Sequence, residues 1–148
     1  VSPVTRLWIQ EVHNTHWHKL TEMKNFYNKQ GAEDFKLVGV EKGMKVVAFG
    51  CGQWDRAEIV SDVNPDTGRL KLFFIDYGTT GTLSKKQCKI LIEDYAIIPR
   101  QAIRGALHGI KPLYGTRLWD MRITEKFIQL IHEKIHQIQV VKHHEYVS

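Results

Sequence analysis

Apolar residues along this chain follow two spacings, and the switches between them mark its elements. From Thr5 to Val12, Leu7 and Ile9 alternate with Arg6 and Gln10, which predicts a strand, with Trp8 and Val12 complicating the alternation. Leu20, Met23, Phe26 and Tyr27 then recur at the spacing of one helical face. Trp17 to Lys29 is therefore predicted as an amphipathic helix that ends before Gly31. Gly31 to Lys42 is expected to be a linker, with a short extended piece at Phe35 to Val38.

The next region returns to the strand pattern. Met44 to Phe49, Trp54 to Val63, Arg69 to Tyr77 and Lys89 to Ile92 each predict a strand. Gly50-Cys51-Gly52 breaks the first pair. Asn64-Pro65-Asp66-Thr67-Gly68 breaks the second, with proline setting φ and glycine supplying a positive one. Gly78 and Gly81 are expected to bracket a further turn before Thr82-Leu83. Ser84 to Gln87 has the spacing of a capping box, so a short helical turn should follow. Short strands joined by tight turns in this way predict a small antiparallel barrel.

Beyond Pro99, Ala102 to Ile110 predicts another strand. Thr124 is expected to cap a helix running to Gln137, with Phe127, Ile131, Ile135 and Ile138 on one face, and Gln139 to Val141 to begin a final strand. The fold class expected is α+β, mostly β: a central barrel at 43–96, flanked by 1–42 and 97–148. Neither a repeat nor a low-complexity segment is visible.

Composition narrows this picture. The chain has 148 residues and is 43% apolar, with the apolar residues spread along its length, which suits one compact domain and argues against disorder. Its apolar runs fall short of the ~18 residues of a membrane span, and its first residues lack a charged-then-apolar leader. Neither a membrane partner nor secretion is expected. Cys51 and Cys88 are too few for a disulfide framework, so a reducing compartment is the simplest reading, with one bridge left open.

Formal charge is +5, which favours acidic partners or nucleic acid. Its distribution points the other way at the centre. Between Asp55 and Gly78 five acids (Asp55, Glu58, Asp62, Asp66, Asp76) face three bases (Arg56, Arg69, Lys71). The middle of the chain should prefer cations.

Here the residues become specific. Phe73-Phe74-Ile75-Asp76-Tyr77-Gly78, preceded by Phe49 and by Trp54-Asp55-Arg56-Ala57, resembles the core of a Tudor domain. Ile98-Pro99-Arg100-Gln101-Ala102-Ile103, followed by Leu107, Gly109, Lys111 and Pro112, is similar to the segment that follows that core in extended Tudor domains. The leading strand and helix and the helix around Phe127 match the staphylococcal-nuclease-like half that wraps it. The resemblance implies a non-catalytic adaptor without a cofactor. Its implied partner is the arginine-rich N-terminal tail of a Piwi/Argonaute-family protein, and its implied location is cytoplasmic, in perinuclear germline granules (nuage).

In that family a dimethylated guanidinium sits among about four aromatic walls, held by cation–π attraction and apolar contact, with an asparagine beside it. Carried onto this chain, the walls are Phe49, Asp55, Phe74 and Tyr77, with Thr79 at the asparagine position and Asp76 close by. Two positions depart from the pattern: Asp55 replaces an aromatic and Thr79 an asparagine. A carboxylate favours a guanidinium that keeps its N–H donors. The incomplete cage thus implies methylation-independent or unmethylated-arginine binding, with a symmetric-dimethylarginine reader as the alternative. On pattern alone, Phe49, Phe73 and Phe74 stay open between barrel core and ligand wall. Asp76 also reads as a turn carboxylate.

Other signals compete. His132-Glu133-Lys134-Ile135-His136 matches H-E-x-x-H, whose two histidines share a zinc ion when a helix carries them. Too few residues follow for a distant third ligand, and the compact spacing would need one at Lys142, so two histidines flanking an apolar stripe is the simpler reading. His13, His16 and His18 cluster without a familiar site spacing. RNA binding through Lys85, Lys86 and Lys89, or Arg117 and Arg122, is the alternative from another class.

Overall fold

The computed structural model describes residues 7–110, 121–132, 134 and 136–140. In chain order the elements are β1 (Leu7–Ile9), α1 (His16–Asn28), β2 (Lys45–Phe49), β3 (Trp54–Ile59), β4 (Arg69–Phe74) and β5 (Thr79–Ser84). A 3-10 turn (Lys85–Gln87), β6 (Cys88–Ile90), α2 (Glu93–Ala96), β7 (Ile103–Gly105) and α3 (Met121–Ile131) follow. Two compact units result, one spanning Trp8–Ile103 and the other made of Val1–Leu7 and Arg104–Ser148.

In the larger unit, five strands pair antiparallel in the order β5-β4-β3-β2-β6. Side chains alternate across this sheet. Val46 and Ala48 of β2, Ala57 and Ile59 of β3, Leu70 and Leu72 of β4 and Cys88 of β6 bury one shared core. Leu83 of β5 packs against the same cluster as Cys88, so the two edge strands curl onto one interior, as a barrel requires. The outer face carries a second core. Leu20, Met23 and Tyr27 of α1 meet Val47, Leu91, Tyr95 and Ile98 there. The Tyr27 hydroxyl donates to Ile90 O at 2.6 Å and accepts from Ile92 N at 3.0 Å, which satisfies a polar atom inside that layer.

α1 and β2 lie within one residue of their predicted limits. The 3-10 turn carries the expected capping box between Ser84 and Gln87. Several expectations need correction. β1 covers only Leu7–Ile9 of the predicted 5–12; Thr5 and Arg6 lie outside the described residues. β3 stops at Ile59 because Asn64 already organises the loop, its Oδ1 accepting from Asp66 N and Thr67 N. β4 stops at Phe74, whose carbonyl takes the N–H groups of Tyr77 and Gly78 and reverses the chain. The turn expected at Gly78–Gly81 therefore lies earlier, at Ile75–Gly78. Thr79–Ser84 is a full strand in register with β4, from Phe74↔Thr79 to Arg69↔Ser84. β6 starts one residue early and ends at Ile90. α2 was not anticipated, and β7 covers only three residues of the predicted 102–110.

The smaller unit's α3 starts at Met121, so Thr124 lies inside it and not at its cap. It ends at Ile131, short of Gln137. Ile135 lies outside the described residues, and Ile138 is exposed and non-helical. Residues 139 and 140 are not in a strand, and Val141 is undescribed.

Candidate functional site

Antiparallel pairing gathers the ends of β2 and β4 and the starts of β3 and β5 at one end of the sheet. Ala48 pairs with Asp55 and Phe49 with Trp54; Ala57 pairs with Phe74; Phe74 pairs with Thr79. Phe49, Asp55, Phe74, Tyr77 and Thr79, which are scattered in sequence, therefore all sit at this end.

Asp55 is the second residue of β3, with its side chain only 12% exposed. Gln53 Nε2 donates to both its oxygens, at 3.3 and 3.0 Å. Tyr77 lies in the reversal after β4, half-buried, with its ring 6.1 Å from that of Trp17. A residue of α1 joins the two. Lys24 Nζ donates to Tyr77 Oη at 3.2 Å and to Gln53 Oε1 at 3.3 Å, and stands 3.4 Å from Asp55 Oδ1. It also lies 5.8 Å from the centre of the Tyr77 ring, at the hydroxyl edge and not over the face. Burial alone would lower the Lys24 pKa. The Tyr77 hydroxyl and the Asp55 carboxylate outweigh it and hold the pKa above its ordinary value.

The aromatic members are placed differently. Phe74 is half-buried against the barrel core, and its ring lies against two glycines. A Cβ at Gly81 would stand 3.2 Å from that ring and one at Gly50 3.6 Å. Phe49 is more open, and its ring meets Trp54 at 5.2 Å, tilted. Thr79 is exposed at the start of β5.

Asp76 does not belong with the groups at this end of the sheet. It is 3% exposed, and its carboxylate is taken within the fold. Arg56 Nε donates to Oδ2 at 2.9 Å, Arg56 Nη2 donates to Oδ1, and Gln101 N donates to Oδ1 at 3.0 Å. Arg56, itself fully buried, spends its remaining donors on the carbonyls of Tyr95, Ile98 and Pro99. The turn-carboxylate reading of Asp76 describes this arrangement; the ligand-contact reading does not.

The zinc motif loses its geometry. α3 ends at Ile131, so His132 and His136 do not share a helical face, and Glu133 lies outside the described residues. Among the described residues, no group of three or more His, Cys, Asp or Glu is placed to hold a metal ion. Lys89, offered for RNA phosphates, is buried and donates to Gly31 O at 2.7 Å and Asp34 O at 2.5 Å. Lys85 donates to Val38 O. Arg117 lies outside the described residues.

Sequence reasoning missed Lys24, Gln53 and Trp17. One signal for Lys24 was present: it sits four residues after Leu20 and three before Tyr27, beside the buried stripe of α1. A charge at that position needs a partner.

Comparison with known proteins agrees with this architecture. The Tudor domain profile matches residues 5–109, and the chain belongs to that family. Human RING finger protein 17 is 24% identical over 124 residues, covering 83% of this chain and 8% of its own length. Mouse Tudor and KH domain-containing protein is 30% identical over 113 residues, covering 76% and 19%. The chain thus spans less than a fifth of either relative. Among solved structures, the extended Tudor domain TD3 of mouse TDRD1, in complex with a MILI peptide containing dimethylarginine, superposes with a TM-score of 0.73 at 22% identity, covering 90% and 67%. The extended Tudor domain of Drosophila melanogaster Papi, an aspartate-to-alanine variant in complex with an unmethylated Piwi N-terminal peptide, gives 0.73 at 27% identity, covering 88% and 65%. The fold of this chain is that of an extended Tudor domain.

Proposed function

We propose that the Asp55–Tyr77 end of the sheet binds an arginine side chain from the N-terminal tail of a Piwi/Argonaute-family protein, and accepts unmethylated arginine at least as well as the symmetric dimethyl form. The observation that carries this reading is the pairing of a carboxylate and an aromatic side chain at one point, with a cation already lodged between the Asp55 carboxylate and the Tyr77 hydroxyl. A guanidinium offers Asp55 two parallel N–H donors and offers Tyr77 a flat cationic face. Methylation removes donors that a carboxylate uses and adds methyl groups that an aromatic wall uses. With Asp55 where the family pattern has an aromatic, the balance favours the unmodified side chain. The Papi complex with an unmethylated Piwi peptide supports this reading, and the same domain also forms a complex with the symmetrically dimethylated peptide.

In this account the domain acts by binding and without catalysis, as an adaptor within a larger germline scaffold at perinuclear granules. Calorimetry with an arginine-rich Piwi tail peptide tests it. Wild type should bind, Tyr77→Ala should lose at least about tenfold, and replacing the peptide's arginines with alanine should abolish the heat. Binding indifferent to those arginines, or matched by single-stranded RNA and falling steeply with salt, contradicts the reading.

A further inference from the structure

Lys24 is an unexpected occupant of a site read as a cation pocket. An ammonium carries three donors, and Lys24 has three acceptors around it: Tyr77 Oη, Gln53 Oε1 and Asp55 Oδ1, at 3.2 to 3.4 Å. Its side chain is 23% exposed, so it is held at the rim and not sealed inside. The stem comes from α1, anchored on either side by the buried Met23 and Tyr27. Each of the three contacts is longer than the 2.7–2.9 Å of a well-made charge-assisted bond.

That geometry sets a condition on any ligand. Asp55 is already neutralised, so a cation from a partner gains little unless it displaces Lys24 or binds Asp55 better than Lys24 does. A lysine ligand would exchange one ammonium for another, with nothing gained. A guanidinium makes two parallel, shorter bonds to a carboxylate and stacks its plane on an aromatic face, neither of which an ammonium can do.

We infer that Lys24 is the specificity-determining residue of this pocket: an internal cation that competes with the ligand for Asp55 and Tyr77, so that arginine enters and lysine does not. The inference rests on the arginine reading given above. Once displaced, the Lys24 ammonium regains water while the incoming guanidinium takes its place on Asp55, so the carboxylate is not left unpaired.

The test is a titration of wild type, Lys24→Met and Lys24→Arg with an acetylated Gly-Arg-Gly-Arg-Gly amide and its lysine counterpart, each variant first checked for folding by thermal denaturation. Lys24→Met keeps most of the stem and removes the charge. It should bind the arginine peptide about three- to tenfold more tightly and should bring lysine-peptide binding up by a larger factor, narrowing the discrimination. Lys24→Arg places a guanidinium in the pocket and should weaken arginine binding. In an Asp55→Asn background the gain from Lys24→Met should shrink, because only the Tyr77 and Gln53 contacts remain to be released. If wild type binds the arginine peptide and Lys24→Met binds it no more tightly, or gains equally in the Asp55→Asn background, the role given to Lys24 is overturned while arginine recognition stands. If neither wild type nor Lys24→Met binds the arginine peptide, both readings fall together.

Discussion

Arg56 and Asp76 meet fork to fork inside the protein, one on β3 and the other in the turn after β4, with 0% and 3% of their surfaces exposed. The pair does more than join two strands. Through Arg56 it gathers the carbonyls of Tyr95, Ile98 and Pro99, and through Asp76 the amide of Gln101, so it ties the end of α2 and the following segment to the sheet.

Removing one partner of such a pair leaves a buried charge without compensation. Asp76→Ala should therefore cost about 3–5 kcal/mol of stability in urea denaturation. A loss under about 1 kcal/mol would show that Asp76 has no such structural role and would reopen it as a ligand contact.

Gly78 controls the reversal beside Tyr77. Its φ is +82°, and a Cβ there would stand 2.1 Å from the Trp8 ring. Gly78→Ala should destabilise by about 2–3 kcal/mol, from left-handed strain plus the clash, and should shift tryptophan fluorescence as Trp8 is expelled. Combining it with Trp8→Ala should relieve the clash but not the strain, so the double variant should lose less than the sum of the two single losses. Strict additivity would contradict the contact.

The Tudor resemblance was legible because residue types and their order survive in the sequence, whereas contacts do not. β2, β3 and β4 announced themselves as short strand-forming runs bounded by turn residues. β5 did not: Thr79 to Ser84 is mostly small and polar with exposed or half-exposed positions, so it offers no apolar alternation to read. α2 has four residues, too few to show a helical period. At the candidate site, Asp55 and Tyr77 could be proposed from the motif. Lys24 could not, because its partners Gln53 and Tyr77 lie 29 and 53 positions away and only the folding of α1 onto the sheet brings them together. Asp76 was ambiguous for the same reason, since its partner Arg56 is twenty residues distant.

Burial pushes the Cys88 thiol up from 9.0 to about 11. Between these values the unfolded chain has lost the proton that the folded chain still holds. The stability is therefore intact below pH 9 and falls as pH rises toward 11, by on the order of 2–3 kcal/mol. Burial raises Tyr27 as well and adds to the same trend, so the comparison must be between wild type and Cys88→Ala. The variant should lose stability less steeply across pH 9 to 11. Equal slopes would contradict the assignment. In the folded protein at neutral pH, a thiol reagent should modify the exposed Cys51 and leave Cys88 untouched until unfolding.

The central claim is that a carboxylate and an aromatic ring together hold an arginine side chain. Its most direct test is calorimetric titration of one arginine-rich Piwi tail peptide in unmodified, monomethylated and symmetrically dimethylated forms, against wild type and Asp55→Tyr. The unmodified peptide should bind wild type at least as tightly as the dimethylated one, and Asp55→Tyr should reverse that order by restoring an aromatic wall. Tenfold tighter binding of the dimethylated peptide to wild type would contradict the account.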